Sequence, residues 1–491
     1  MKKPHELPVT DADWQQTPRS VQVLVISLLE VQRRLEYRVE QLERQVGEVQ
    51  HSGQDSAGSP PDSPPPSDNS GTGSRASSSS RRKRPSGRSP GAQPGHKGHG
   101  RTLLSVDQVD QLVPVKPTSC GRCSHALAGD DPHPQRHQVV EIPPVRPHVT
   151  EYQIHALRCP CCDMLTEADW PESVPRSSFG SSVQAWIGLL SGTYRLSKRN
   201  VAALLSDAFG LDLAVGSVSQ LEQRVSEAVA APVEEAGDHV RRQPEVHIDE
   251  TGWREARQKV WLWTVTTDQV TVFAIRSGRN SEVARELLGD DTTAIVGSDR
   301  LKAYDYLEVL RRQACWAHLE RTFEKFVDRG GEAAWVGQQL LEFTHQMFSW
   351  WHRVRDGTLQ RSSFQAYVSD LRLQLGFRLW YGQQFADEKT ARTCANLRAI
   401  EPALWTFVRK EGVEPTNNAA ERALRHAVLW RKGSFGTHSP DGSRFVERML
   451  TVRDTLRQQK RNVLDYLTAA CQATLHRGTP PSLLPQPLST R

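Results

Sequence analysis

One short stretch constrains this chain more than any other, Glu245-Val246-His247-Ile248-Asp249-Glu250-Thr251-Gly252-Trp253. Val246 and Ile248 alternate with His247 and Asp249, the two-residue period of a strand. Gly252 interrupts the run. Two apolar strand candidates follow at 260–265 and 270–275. A helix comes next, with Asn280 or Ser281 as N-cap, Val283, Leu287 and Leu288 on one face and Gly289 as its stop. Residues 294–299 read as another strand, and it too ends in an acid, Asp299. Three meandering strands, a helix and a strand that delivers a second aspartate predict an α/β, nuclease-like sheet. Far downstream, Asn417-Asn418-Ala419-Ala420-Glu421-Arg422 offers a third carboxylate on a helix.

A chain of 491 residues is too long for one compact domain. Its net charge of +5 does not by itself announce a nucleic-acid partner, but the cations are unevenly placed, and local patches decide phosphate binding. The best apolar run, 21–31, is about half of the ~20 residues a membrane span needs and contains Ser27 and Glu30. The first residues, Lys2-Lys3-Pro4-His5-Glu6, carry no apolar core of a signal peptide, so a cytoplasmic, nucleoid-associated protein is expected. Five of the eight cysteines crowd between Cys120 and Cys162, which in such a compartment favours metal over disulfide.

The remaining segments have distinct characters. Residues 18–49 carry Val21, Leu24, Leu28, Val31, Leu35, Val39, Leu42, Val46 and Val49 at spacings of three and four, with a stutter at 31–39. No core-forming sequence adjoins them, so 1–50 is read as a self-associating coiled coil. Residues 51–90 are a disordered Ser/Pro/basic linker ending in Arg81, Arg82, Lys83 and Arg84, a phosphate-gripping arm. In 91–101, four glycines accompany His96, Lys97, His99 and Arg101, a loop whose backbone can approach a ligand closely.

Within 91–175, Cys120-x-x-Cys123 and Cys159-x-x-Cys162 supply four thiolates for a closed structural Zn²⁺ site. Strand-like runs at 139–142 and 149–154 would form a hairpin that brings the two knuckles together. Cys161 is surplus; Cys159–Cys162 is the better pair on spacing, and Cys159–Cys161 stays open. Residues 176–240 read as helices around a Gly210 turn, a helix-turn-helix-like DNA-binding region with Lys198 and Arg199 on its capping turn. The catalytic domain spans 241–475, with an apolar helical insertion at about 325–405 whose aromatics are core, and a disordered tail at 476–491.

Taken in order, these motifs resemble the DDE transposases of the insertion sequence 66 family. The likeness rests on the Gly/His loop at 91–101, the CxxC pair, His247-Ile248-Asp249-Glu250-Thr251, Ser298-Asp299-Arg300 with Ala303-Tyr304, Cys315-Trp316-Ala317-His318-Leu319-Glu320-Arg321, and Asn417 through Arg422. The resemblance implies a ribonuclease H-like catalytic domain and DNA cleavage and strand transfer at element ends and target. It also implies Mg²⁺ or Mn²⁺ on a triad of Asp249, Asp299 and Glu421, with Asp249 bridging two ions. Small companion proteins of the same element are an implied partner. Ala92, Cys161 and the long linker depart from the pattern and touch none of the catalysis.

The chemistry suits these residues. In-line displacement at phosphorus is served by two divalent ions, and hard carboxylate oxygens suit Mg²⁺. Asn417, Glu421 and Arg425 recur at four-residue spacing on one helical face, which would carry an amide, the ligand and a cation toward double-stranded DNA. Arg422, Arg431, Lys432 and Arg444 would hold phosphates beside a Ser434-Phe435-Gly436 loop. Each acid has rivals: Glu250 for Asp249, although it faces away on a strand; Asp290 and Asp305 for Asp299; Glu401 and Glu411 for Glu421. His318 divides between orienting a ligand and a structural role. A non-catalytic zinc-containing DNA-binding regulator would not need three separated acids, and a metal-dependent nuclease without joining activity would share them. No Arg/His/Tyr set of a tyrosine recombinase is evident.

Overall fold

The structure is a computed structural model that describes residues 3–4, 7–18, 21–22, 25–26, 29, 102–171, 174 and 176–485. The expected coiled coil is largely outside these residues. The linker, the basic arm at 81–84 and the Gly/His loop with His96, Lys97, His99 and Arg101 are wholly outside them. Near the start, α1 (Asp11–Gln16) is capped by Thr10, whose Oγ1 accepts from Asp13 N–H at 3.2 Å. The chain divides into two units, Val46–Pro144 and the remainder.

In the smaller unit the expected strand at 139–142 is absent; Val139 and Ile142 are exposed, and Ile142 N–H donates to the Glu141 carboxylate at 2.9 Å rather than to a neighbouring strand. In the larger unit 149–154 is likewise not a strand. Pro143, Pro144 and Pro147 punctuate this stretch and remove the N–H groups a ladder would use. A shorter hairpin forms instead around the second knuckle, β1 (Ala156–Arg158) antiparallel to β2 (Leu165–Glu167).

The helical region follows as α2 (Ser181–Gly188), α3 (Lys198–Phe209), α4 (Val215–Ala228) and α5 (Ala230–Arg241). Ser197 caps α3, and Gly210 ends it in the left-handed region (φ 64°), which glycine adopts without strain. Ile187, Leu190, Val201, Leu205, Val218 and Leu221 form the core of this helical unit.

The central sheet contains β3 (Glu245–Glu255), β4 (Gln258–Thr266), β5 (Thr271–Arg276), β6 (Ile295–Ser298) and β7 (Arg312–Ala314) in the order β5-β4-β3-β6-β7. The first three make an antiparallel meander, and β6 and β7 run parallel to β3. Between β5 and β6 lies α6 (Ser281–Leu288), capped by Asn280 and stopped at Gly289. Val246, Ile248, Trp263 and Val265 pack one sheet face against α5 and α6.

The insertion consists of α7 (Trp316–Arg329), α8 (Gly331–Arg355), α9 (Arg361–Phe385), α10 (Glu388–Ala399) and the short α11 (Thr406–Arg409), around its own aromatic core. The chain then returns through α12 (Asn418–Ser434), α13 (Pro440–Gln458) and α14 (Val463–Leu475). Leu424 and Ala427 of α12 and Val446 and Leu450 of α13 cover the other sheet face with Trp253, Leu262 and Phe273. One stripe of α13 also closes the β5 edge: Thr451 Oγ1 accepts from Phe273 N–H and Thr455 Oγ1 from Thr271 N–H, each at 3.0 Å, and Glu447 accepts from Ile275 N–H.

The expected disordered tail is corrected over 478–485. Leu483 is fully buried, Tyr466 Oη donates to Pro481 O at 2.8 Å, and Gln459 Nε2 donates to Leu483 O at 2.9 Å. An apolar side chain and paired carbonyls hold a segment that proline content alone suggested was free.

Candidate active site

β3 and β6 pair in the register Glu245↔Ile295, Val246↔Val296 and His247↔Gly297. Two residues further along that register, Asp249 in the middle of β3 stands beside Asp299, the residue just past the end of β6, on strands about 4.8 Å apart. The expected break at Gly252 is corrected, because β3 stays paired with β4 through it to Glu255. Their pairing depends on Gly297, where a Cβ would collide with His247 Nδ1. The imidazole occupies that space, and its Nδ1 lies 3.1 Å from Asn417 Oδ1.

Asn417 joins the third acid to the first. It is fully buried at the start of α12, and its Nδ2 donates to Ile248 O at 2.8 Å, the carbonyl just before Asp249. Its own N–H donates to Cys315 Sγ at 3.2 Å. One turn on, Glu421 N–H donates to Asn417 O at 3.1 Å. The sequence reading sent Asn417 toward DNA. The structure corrects this: the amide is consumed in anchoring α12 to β3, and no part of it reaches solvent.

Glu421 lies with Oε1 3.3 Å from His318 Nδ1 and 3.2 Å from Arg321 Nη2. Burial pushes the Asp249 carboxyl up to about 7, and the charges of Glu250, Asp299 and Glu421 push the same way. Only the Glu250 N–H, 2.9 Å from Asp249 Oδ1, pulls it down. Asp299 Oδ1 accepts from Leu301 N–H at 2.8 Å, which shapes the turn after β6.

The rival acids are occupied elsewhere. Glu250 turns to the other side of β3, where Arg279 Nη2 reaches it at 2.6 Å and Tyr304 Oη donates to it at 2.7 Å. Asp290 pairs with Arg285, and Asp305 with Arg312 at 3.0 Å. Glu401 is gripped by Arg372 and Trp405. Glu411 is exposed.

The cations divide in the same way. Arg422, Arg425, Lys432 and Arg444 are exposed, and Arg422 and Arg425 border the cleft that holds Asp249 and Glu421. Arg431 is half-buried and donates to Thr251 Oγ1 and Gly252 O, so it braces β3. Lys198 is 2.8 Å from Ser219 Oγ and 3.0 Å from Glu222 Oε2, a link between α3 and α4, whereas Arg199 is free on the surface. Sequence reasoning missed Arg300, Lys302, Arg321 and Lys325, which line a second cleft beside Asp299. The spacing of Arg321 and Lys325 from His318 on α7 was the available signal.

The cysteine knuckles, each taken by itself, repeat one turn. Cys120 N–H donates to His125 O at 2.8 Å, Ser124 N–H to Cys120 O at 3.0 Å, and Ser124 has φ 57°. Cys159 N–H donates to Met164 O at 2.8 Å, Asp163 N–H to Cys159 O at 2.9 Å, and Asp163 has φ 59°. Cys162 therefore matches Cys123, and Cys161 takes the position of Arg122. Backbone N–H groups hold the leading thiols below their ordinary range, chiefly that of Arg122 at Cys120 and that of Cys162 at Cys159.

A family model described as "Transposase IS66 family" matches residues 176–444, and one described as "zinc-finger binding domain of transposase IS66" matches 117–163. An uncharacterized protein, y4qI, of Sinorhizobium fredii is 26% identical over 242 residues, a match covering 43% of this chain and 43% of that relative. Among the described residues no helix is long and apolar enough to cross a membrane. The chain belongs to the transposase IS66 family.

Proposed function

We propose that this chain is the transposase of an insertion sequence, which binds element ends and carries out metal-dependent cleavage and strand transfer on double-stranded DNA. Asp249, Asp299 and Glu421 are its catalytic acids, set on a ribonuclease H-like sheet. The observation that carries the reading is the convergence of three acids from separate elements. One is on β3, one just past the end of the parallel strand β6, and the third on a helix anchored to β3 through Asn417. The antiparallel meander continued by two parallel strands supports the sheet assignment.

The donor set fits Mg²⁺ or Mn²⁺: hard carboxylate oxygens crowd one another, as the raised Asp249 carboxyl records, and divalent charge relieves that repulsion. When bound, such ions activate the attacking oxygen and stabilise the leaving one. The chain's own residues do the rest. Asn417 fixes Glu421 relative to Asp249, and Arg422, Arg425 and Lys432 neutralise phosphates along α12. Cys120, Cys123, Cys159 and Cys162 hold a structural Zn²⁺, their repeated turn being the supporting feature. The heptad segment makes homo-oligomers, and small companion proteins of the same element complete the machinery.

Strand transfer in vitro tests the reading. Purified protein is given pre-cut element ends, plasmid and Mg²⁺ or Mn²⁺, and compared with Asp249→Asn, Asp299→Asn and Glu421→Gln. Joined product lost in all three variants with DNA binding intact is the expected result. Joining that survives any one substitution removes that acid from the triad, and cleavage without joining returns the protein to the nuclease class.

A further inference from the structure

Three donor atoms of different chemistry meet beside Glu421. Cys315 Sγ, a ring nitrogen of His318 and a Glu421 carboxylate oxygen all lie within 4.8 Å of one another. The start of α7 accounts for this. Cys315 is its N-cap and His318 follows three residues on, so both side chains lie on one side of the first turn. Cys315 is fixed at both ends, its N–H donating to Ser298 O at 2.9 Å and its Sγ accepting from Asn417 N–H at 3.2 Å. That contact occupies the thiol and leaves the imidazole as the available nitrogen donor.

A purely structural role does not account for His318. Its Nδ1 is buried, and among the described residues it makes no hydrogen bond, although Glu421 Oε1 stands only 3.3 Å away. Leaving a buried polar atom unmatched is unfavourable. A cation between the two atoms would use both lone pairs. With metal–ligand bonds of about 2.0–2.2 Å, a 3.3 Å nitrogen–oxygen edge subtends roughly 105° at the ion, within the range of tetrahedral and octahedral sites. The Arg321 guanidinium is 3.2 Å from the same Oε1, so a cation here shares the Glu421 carboxylate with it.

We propose that His318, through Nδ1, is a ligand of the divalent cation on the Glu421 side of the site, so that this position takes Mn²⁺ in preference to Mg²⁺. The inference rests on the triad reading above and adds a fourth protein ligand to it. Mg²⁺ favours oxygen donors, whereas an imidazole nitrogen raises affinity for first-row transition ions.

Pulsed electron paramagnetic resonance of Mn²⁺ bound to the full-length protein tests this without any turnover. A directly bound imidazole gives a nitrogen hyperfine coupling on the Mn²⁺ signal. We expect that coupling in wild type and in His345→Ala, a neighbouring exposed histidine, and its loss in His318→Ala and His318→Asp. His318→Ala should also weaken Mn²⁺ binding by roughly 10–100-fold. His318→Asp, which restores an oxygen donor, should recover much of the binding while reducing the preference for Mn²⁺ over Mg²⁺, and it guards against misfolding as the cause. Mn²⁺ that is released by Asp249→Asn or Glu421→Gln but shows no nitrogen coupling in wild type overturns the His318 assignment and leaves the triad standing. If neither substitution alters Mn²⁺ binding, both readings fall.

Discussion

In the insertion between β7 and α12, buried aromatic rings pack on one another and on aliphatic side chains such as Leu340, Val368 and Leu375. Trp351, Phe364 and Phe407 form a triangle with ring centroids 5.3–6.0 Å apart, and Trp316 meets Trp405 at 5.0 Å. Around Asp249 of β3 and Asp299 just past β6, the half-buried groups are carboxylates that repel one another. Packing in the first region stabilises the fold; crowding in the second costs stability and creates a place for cations. The difference teaches where this chain has been shaped for rigidity and where for chemistry. Substitutions of opposite sign separate the two.

The largest effect is expected in the insertion. Phe364→Ala removes a fully buried ring from that triangle and should lower stability by about 3–5 kcal/mol in urea unfolding. A loss below about 1 kcal/mol would mean that the insertion is not the rigid half of the comparison.

The opposite sign is expected at Asp249. Its carboxyl is raised from the ordinary 3.8 to about 7 by burial and by the surrounding acids. A group raised in the folded state contributes its stability below the unfolded value and loses it as pH climbs through the folded one. In metal-free buffer, Asp249→Asn should therefore match wild type near pH 4 and exceed it above pH 7, by an amount on the order of 4 kcal/mol. Thermal melts at both pH values in chelator check this. An equal or lower melting point for the variant at pH 8 would show that the acids do not strain one another.

Much of this site was legible beforehand. The period-2 alternation through Asp249, the strand leading to Asp299 and the Asn280–Gly289 helix signals all have counterparts, although β3 continues past Gly252 to Glu255 and β6 stops at Ser298. β7 was not, because Arg312 and Gln313 do not look like a strand interior. They are buried only because Asp305 pairs with the one and Phe407 N–H donates to the other, partners that sequence cannot supply. Asn417 misled for a related reason. Four-residue spacing put its amide on the DNA-facing side of α12, but the side chain reaches a strand 169 residues away.

Asn417→Ala joins the two regions, and its effect should be intermediate. The substitution strands Ile248 O and His247 Nδ1, costing about 1–3 kcal/mol. It also loosens Glu421 relative to Asp249, so strand transfer should fall far more than DNA affinity. Proportional losses of both would make Asn417 structural only.

The smallest effects are expected among the surface cations, and they sort the free from the occupied. Arg422 and Arg425 project from α12 beside the acid cleft, whereas Lys198 is already engaged by Ser219 and Glu222. Each phosphate contact that a free cation makes releases counterions, and its loss lowers the slope of log affinity against log salt by roughly 0.9. Arg422→Ala and Arg425→Ala should each flatten that slope by about this amount for specific and non-specific DNA alike. Lys198→Ala should leave the slope unchanged and loosen the α3–α4 contact instead. A flattened slope for Lys198→Ala, with none for the two arginines, would move the DNA path off α12 and onto the helical region before β3.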